Sequence, residues 1–241
     1  MLAGASPDGD TVSRQLARWE LEDVGGAVVV VDVIRAFTTA AYAFGAGAAA
    51  IHLVGTVAEA LDFKGRHPGA LAVGEDHGLR PDGFDFPNSP AMVSRADLTG
   101  RTLVQRTSAG TQGALAARHA ERLWVASLAC ASATARAVEA AGLGAPAYVI
   151  TGRFQDRPDH SGADDILTAA TIEHLRCGRS VDAEAVAAEL LATDEAARTL
   201  SLGADHCDPA DIEFAARLDA FDFAMEVERT SDGLRVTPSI P

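Results

Sequence analysis

Apolar and polar positions along this chain fall into short blocks, and their lengths carry the first information. Four consecutive valines, Val28–Val31, lead into Asp32, then Val33 and Ile34, then Arg35. A stretch that is apolar at every position, and not at every second one, predicts a strand covered on both faces, here over 28–33, as inside a parallel sheet. A helix is predicted over 36–44, stopping at Gly45 or Gly47. A strand over 49–54 and a helix from an N-cap at Thr56 to about Lys64 come next. A third strand, 71–73, ends in Gly74-Glu75. Further strands are expected at 102–106, 122–126 and 147–151, with helices from Thr111 to about His119 and over 129–141. Strands alternating with helices in this way imply crossover connections and an α/β fold with a largely parallel sheet.

Three stretches break the alternation. Asp76–Pro90, DHGLRPDGFDFPNSP, contains two glycines and three prolines and predicts no regular element. Its Phe84 and Phe86 favour an ordered binding loop over a linker. From residue 161 to 222 the pattern predicts successive helices, and 223–237 predicts a terminal hairpin. Residues 1–15 read as a loose polar segment, with packing beginning at Trp19. No repeat of fixed period and no low-complexity tract beyond general alanine richness divides the chain, and 1–241 is expected to form a single domain.

Charge narrows the partners. The net charge is −14; residues 1–150 hold 15 acids against 12 bases, and residues 151–241 hold 19 against 8. Such a chain is a poor ligand for nucleic acid or an anionic membrane. No run approaches the roughly 18 apolar residues of a membrane span, and the first residues resemble neither signal peptide nor anchor. Three widely spaced cysteines, Cys130, Cys177 and Cys207, suggest neither a disulfide framework nor a zinc site, which makes the cytoplasm the expected compartment.

Candidate chemistry collects at predicted strand ends. Asp32 and Arg35 cannot be buried unpartnered without a cost of several kcal/mol, which places them at a carboxyl edge, where open α/β sheets bind ligands. A structural ion pair is the plain alternative. Gly110, opening a helix beside Thr107, Ser108 and Thr111, offers amides and hydroxyls suited to a phosphate, or simply caps that helix. Ser127 ends another strand. Asp32 and Glu75 suit Mg²⁺, with Asp164 and Asp165 as further ligands or as acids complementing a helix dipole. His77 in the binding loop is a candidate acid or base, or a solvated loop residue. P-loop, HExxH and GxSxG motifs are absent. Cys130 and Arg136 match Cys-x5-Arg, but the intervening residues hold three alanines and no glycine, and a helix would put the two on different faces.

The segments VDVIRAFTTAAYAFGAGA, GEDHGLRPDGFDFPNSP, TSAGT and ASLACASA, in that order and spacing over about residues 27–170, resemble the 2-phosphosulfolactate phosphatase family. The run LGADHCDPADIEFAARLDAFDFAMEV resembles its tail. The resemblance implies a three-layer α/β/α fold with a mixed sheet and a Mg²⁺-dependent phosphatase acting on the monoester of a small hydroxy acid. By position it implicates Asp32, Arg35, Glu75, the Gly83-Phe84-Asp85 turn, Asn88-Ser89-Pro90, Thr107 to Thr111, Ser127 and Asp164-Asp165. Asp76 stands where an arginine is expected, Pro87 where a glycine is usual and Cys130 where an asparagine is. The expected arrangement is Mg²⁺ held by Asp32 and Glu75 with an acid of Asp164-Asp165, Arg35 clamping the phosphoryl group, and the 107–111 amides assisting. A non-catalytic binder of a phosphorylated or carboxylated metabolite is the alternative, and a homodimer is compatible with either.

Overall fold

Four valines in a row require apolar cover on both faces, and the chain supplies it from both directions. The computed structural model describes residues 13–22, 24–157 and 159–241, whose strands join in one ten-stranded sheet. In chain order these are β1 (Arg14–Ala17), β2 (Ala27–Val31), β3 (Ala50–Leu53), β4 (Leu71–Gly74), β5 (Phe86–Pro87), β6 (Thr102–Arg106), β7 (Arg122–Ala126), β8 (Ala147–Ile150), β9 (Ala224–Thr230) and β10 (Gly233–Ser239). The helices are α1 (Ala36–Gly45), α2 (Val57–Arg66), α3 (Pro90–Val93), α4 (Gly110–Ala116), α5 (Ala131–Ala140), α6 (Ala163–Arg176), α7 (Ala183–Leu191), α8 (Asp194–Leu200) and α9 (Ala210–Ala215), with a 3₁₀ turn at Leu128–Cys130. None is long and apolar enough to cross a membrane among the described residues.

Successive valines of β2 point to opposite faces. Val28 and Val30 pack with Phe37, Ala40 and Ala41 of α1 and with Ala114 of α4. Val29 and Val31 pack with Ala131, Ala135 and Val138 of α5 and with Ala169 and Ile172 of α6. The result is the expected helix, sheet and helix layering. Thr56 caps α2 in a full capping box with Glu59, so the local signal and the structure agree there.

The strand order is β1-β8-β2-β7-β9-β10-β3-β6-β4-β5. β1, β8, β2 and β7 are mutually parallel, as are β3, β6, β4 and β5. The predicted hairpin is present as β9 and β10, but it lies inside the sheet, antiparallel to β7 on one side and to β3 on the other. It bridges two parallel halves, and one apolar core runs beneath it from Val125 through Met225 and Val236 to Ile51. The sheet twists and curls enough that the carboxyl end of β2 faces that of β6. A Cβ added to Gly110 would stand 2.7 Å from Oδ2 of Asp32.

Several boundaries shift. β2 ends at Val31, so Asp32 and Val33 leave the strand and form a turn. The loose segment expected over 1–15 lies mostly outside the described residues, but Arg14 and Gln15 belong to β1, paired with β8. Packing therefore starts before Trp19, which is 39% exposed, because Leu16 and Ala17 are already covered by the sheet. The binding loop is ordered and includes β5 and the start of α3, with Phe84 buried against α2.

Candidate active site

The carboxyl ends of the two sheet halves, the loop after β8 and the first turns of α6 and α8 enclose a cavity of about 400 Å³. Asp32, Ile34 and Arg35 enter it from the turn after β2, Glu75 and His77 from the end of β4, Asn88 from the loop before α3, and Ser108 from the loop before α4. Asp164 and Asp165 of α6 and Glu195 and Arg198 of α8 line the other side, with Phe154, Arg157 and His160 between them. Asp32, Arg35, Glu75, Asn88, Ser108, Asp164 and Asp165, all singled out in the sequence, thus meet at one rim.

Carboxylates crowd this space. Burial pushes Asp32 up to about 6, against the Ala36 amide that favours its charged form, and nearby Glu75 adds to the rise. Burial, then Glu195 and Asp32, raise Asp164 to about 7. Burial, then Asp164 and Asp32, hold Asp165 well above the ordinary carboxylate range. Asp165 accepts hydrogen bonds from Val33 N at 2.9 Å, Gly152 N at 2.8 Å and Thr151 Oγ1 at 3.2 Å, tying the turn after β2 to the loop after β8. By contrast Asp164 Oδ1, Glu195 Oε2 and Asn88 Oδ1 are buried without partners among the described residues. Acceptor oxygens left bare in this way are places for a ligand or cation to complete.

Acids that keep their protons more tightly when folded take up protons on folding between about pH 4 and pH 7. The metal-free protein is therefore expected to gain stability as pH falls. Its Tm in EDTA should be about 5 °C or more higher at pH 6 than at pH 8. A Tm that drops over that interval contradicts the crowding.

Arg35 is fixed from behind. Its Nη1 donates to Asp211 Oδ2 at 2.9 Å and to the His206 carbonyl at 2.8 Å, while Asp211 also accepts from Ser89 Oγ, Ala91 N and Asp208 N. Glu75 is similarly committed, accepting from the Ser108 amide and hydroxyl and from Gly78 N. Gly74 before it has φ +138°, and a Cβ there would stand 1.9 Å from the Arg106 carbonyl oxygen, so only glycine permits this approach of β4 to β6. Asp76, at the position expected to be cationic, accepts from Arg106 Nη1 at 2.7 Å, with His77 Nδ1 2.9 Å away. The cation beside Glu75 is thus supplied by β6.

Other expected site residues lie elsewhere. Ser89 caps α3 and holds Asp211, so it does not reach the cavity. Thr107 and Thr111 hydrogen-bond each other across the start of α4 and are buried; the N-cap, Ala109, has no side-chain cap, and the Thr107 hydroxyl accepts from the Thr111 amide of the first turn. Gly110 contributes no lining; its lack of a side chain makes room for Asp32 and Ala36. Ser127 is fully buried with an unpartnered hydroxyl away from the cavity. The four-acid metal set does not assemble either. Among the described residues no group of three or more His, Cys, Asp or Glu is placed to hold a metal, and both oxygens of Glu75 and of Asp165 accept hydrogen bonds from the protein. Burial raises the Cys130 thiol far above the range of a reactive thiolate, and Arg136 is on the surface paired with Asp222, so no cysteine-phosphate loop forms.

Sequence reasoning missed Glu195, Arg198, Asp211 and Arg157. Asp211 and Glu195 sit in helices whose pattern is ordinary, and Arg157 in a loop; the only local signal was the tail resemblance, which includes Asp211.

The sequence profile described as 2-phosphosulpholactate phosphatase matches residues 14–230. A Bacillus subtilis protein is 34% identical over 205 residues, 85% of this chain and 88% of its own length. A Thermoplasma acidophilum protein is 31% identical over 191 residues, 79% and 81% respectively, and one from Thermus thermophilus 38% identical over 146, 60% and 59%. Each bears the name probable 2-phosphosulfolactate phosphatase.

Proposed function

We propose that this chain, which belongs to the 2-phosphosulpholactate phosphatase family and is thereby a phosphoric monoester hydrolase, acts on 2-phosphosulfolactate or a closely related 2-phospho acid and needs Mg²⁺ to do so. The observation that carries the reading is the convergence of Asp32, Asp164 and a rigidly held Arg35 on one cavity.

The residues fit a divalent cation in a restricted way. Mg²⁺ prefers oxygen ligands and is commonly held by one or two carboxylates, with water and substrate phosphate completing its shell. Asp32 and Asp164 meet that need: both are pushed toward protonation by burial first and neighbouring carboxylates second, and Asp164 Oδ1 has no partner among the described residues. Glu75, tied to three donors, serves as a strut between β4 and β6. Bound there, Mg²⁺ would neutralise phosphate charge and lower the pKa of a coordinated water.

The chain's own groups do the rest. Arg35 presents its guanidinium to the phosphoryl oxygens, and Asp211 keeps it from swinging away, so little ordering is left to do when substrate arrives. Asp165 fixes the backbone of the turn carrying Arg35 through Val33 N. The Asn88 amide group, through its NH₂ donor, and the Ser108 loop border the same space and orient the ester. Positioning and electrostatics of this kind account for most of the rate in phosphoryl transfer.

Assay of a panel of phosphate monoesters tests the reading. Release of phosphate with Mg²⁺, abolished by EDTA and unaffected by Cys130→Ser, is expected. Release that survives EDTA removes the cation from the reaction, and release from none of the esters leaves a binder.

A further inference from the structure

Among the cavity's arginines, two are neutralised by close carboxylates: Arg35 by Asp211 at 2.9 Å and Arg198 by Glu195 at 3.0 Å. Arg157 differs. The one carboxylate within 4.0 Å of it among the described residues is Asp156, at 4.0 Å and largely in solvent. Its Nε is shielded from water and has no hydrogen-bond partner. The guanidinium rests 4.1 Å from the centre of the Phe154 ring, and a backbone bridge between Phe154 and Arg157 closes the turn that holds the two together. Arg18, arriving from the turn after β1, lies over the same ring at 4.9 Å and donates to the Ser108 carbonyl at 3.0 Å. Burial, and then repulsion from Arg157, pull Arg18 below the ordinary guanidinium range.

Two like charges are thus stacked on one aromatic ring at the mouth of the cavity, in a chain whose net charge is −14. Among the described residues only the largely solvated Asp156 stands near them, so they still repel each other, and an anion seated between or beside them removes that cost. Phe154 and Arg157 both line the cavity that Asp32, Asp164 and Arg35 also line. The acids, the clamped Arg35 and Arg157, which is only weakly neutralised by the exposed Asp156, therefore share one space.

We infer that Arg157, stacked on Phe154 and backed by Arg18, is the specificity-determining residue that receives the non-transferred acid group of the substrate, a sulfonate or carboxylate on the carbon skeleton. The inference rests on the phosphatase reading above and adds which arginine takes which end of the substrate. Arg35 holds the phosphoryl group that passes to water, and Arg157 the acid group on the alcohol that departs. An oxyanion bound by Arg157 in both substrate and transition state lowers KM without changing the chemical step.

The test compares Arg157→Gln with the unaltered enzyme, with Mg²⁺ present, on 2-phosphosulfolactate, 2-phospholactate and isopropyl phosphate. Expected is a rise in KM of about tenfold or more for 2-phosphosulfolactate, with kcat within about threefold and isopropyl phosphate unaffected. The Arg157→Lys variant, which keeps the charge but loses the planar fork, should recover part of the loss. A matching rise for 2-phospholactate identifies the carboxylate as the group read; no rise there identifies the sulfonate. Equal losses on all three esters, or no loss on 2-phosphosulfolactate, overturn the assignment. If the unaltered enzyme hydrolyses none of them, the phosphatase reading fails and calorimetric titration with sulfoacetate decides the subsite by itself. Binding lost in Arg157→Gln upholds it, and binding that is absent in both proteins or equal in both overturns it.

Discussion

Asp32→Asn is expected to cut phosphatase turnover by on the order of a thousandfold or more while leaving a folded protein. The side chain is buried at the end of β2, its Oδ1 receives the Ala36 amide at 2.9 Å, and its Oδ2 lies against Gly110. Asn keeps the acceptor for Ala36 and nearly the same volume, so the turn and the start of α1 keep their support. What disappears is the negative charge, and with it a ligand for a cation and part of the field that organises the cavity. The same charge is a burden to the metal-free fold, since burial and Glu75 raise its pKa to about 6. At pH 8 the group is ionised against that preference, so the Asn variant should melt no lower than the unaltered protein in EDTA, and its Tm should depend less on pH. Initial rates with Mg²⁺ and thermal melts at pH 6 and pH 8 check both halves. Near-normal turnover would remove Asp32 from the reaction.

Asp211→Ala should do the reverse, harming the fold first and activity through it. Asp211 is fully buried and answers four donors at once: Arg35, Ser89 and the amides of Ala91 and Asp208. Removing one partner of a buried pair leaves the other charge uncompensated, a loss of about 3–5 kcal/mol. For a chain of this size that lowers Tm by about 10 °C or more. Activity should also fall at temperatures where the variant is still folded, because Arg35 then keeps only the His206 carbonyl. The expected kinetic pattern is a raised KM together with a lowered kcat. A variant within about 2 °C of the parent would show that the ion pair contributes little to the fold.

The parts of this molecule that were legible in its sequence are those encoded locally. The valine run announced a doubly covered strand, Thr56 and Glu59 announced a capped helix, and acids or arginines directly after apolar runs announced the rim of the sheet. Asp32, Arg35 and Glu75 could be placed there because a charge cannot stay inside such a strand. Hydroxyl residues were harder. Thr107, Thr111 and Ser89 have the composition of an anion site and turn out to satisfy helix ends, a use that costs nothing in sequence terms and leaves no distinguishing mark. Contacts between distant segments were invisible. Nothing near Asp211 says that it meets Arg35, 176 residues away, and nothing near Arg157 says that Arg18 shares the Phe154 ring with it. The hairpin of β9 and β10 was evident as a hairpin, but periodicity does not name a strand's neighbours.

Placing that hairpin between β7 and β3 has a consequence for how the chain reaches its native form. Until residues 224–239 arrive, each parallel half carries a bare edge strand, about a hundred residues after β7 and about 170 after β3 have been made. Unpaired edges of this kind invite pairing with other chains. Vectorial synthesis thus leaves an interval in which these edges stand unpaired, one that a holdase covering β7 and β3 would protect, and it closes with a non-local zippering of the hairpin between them.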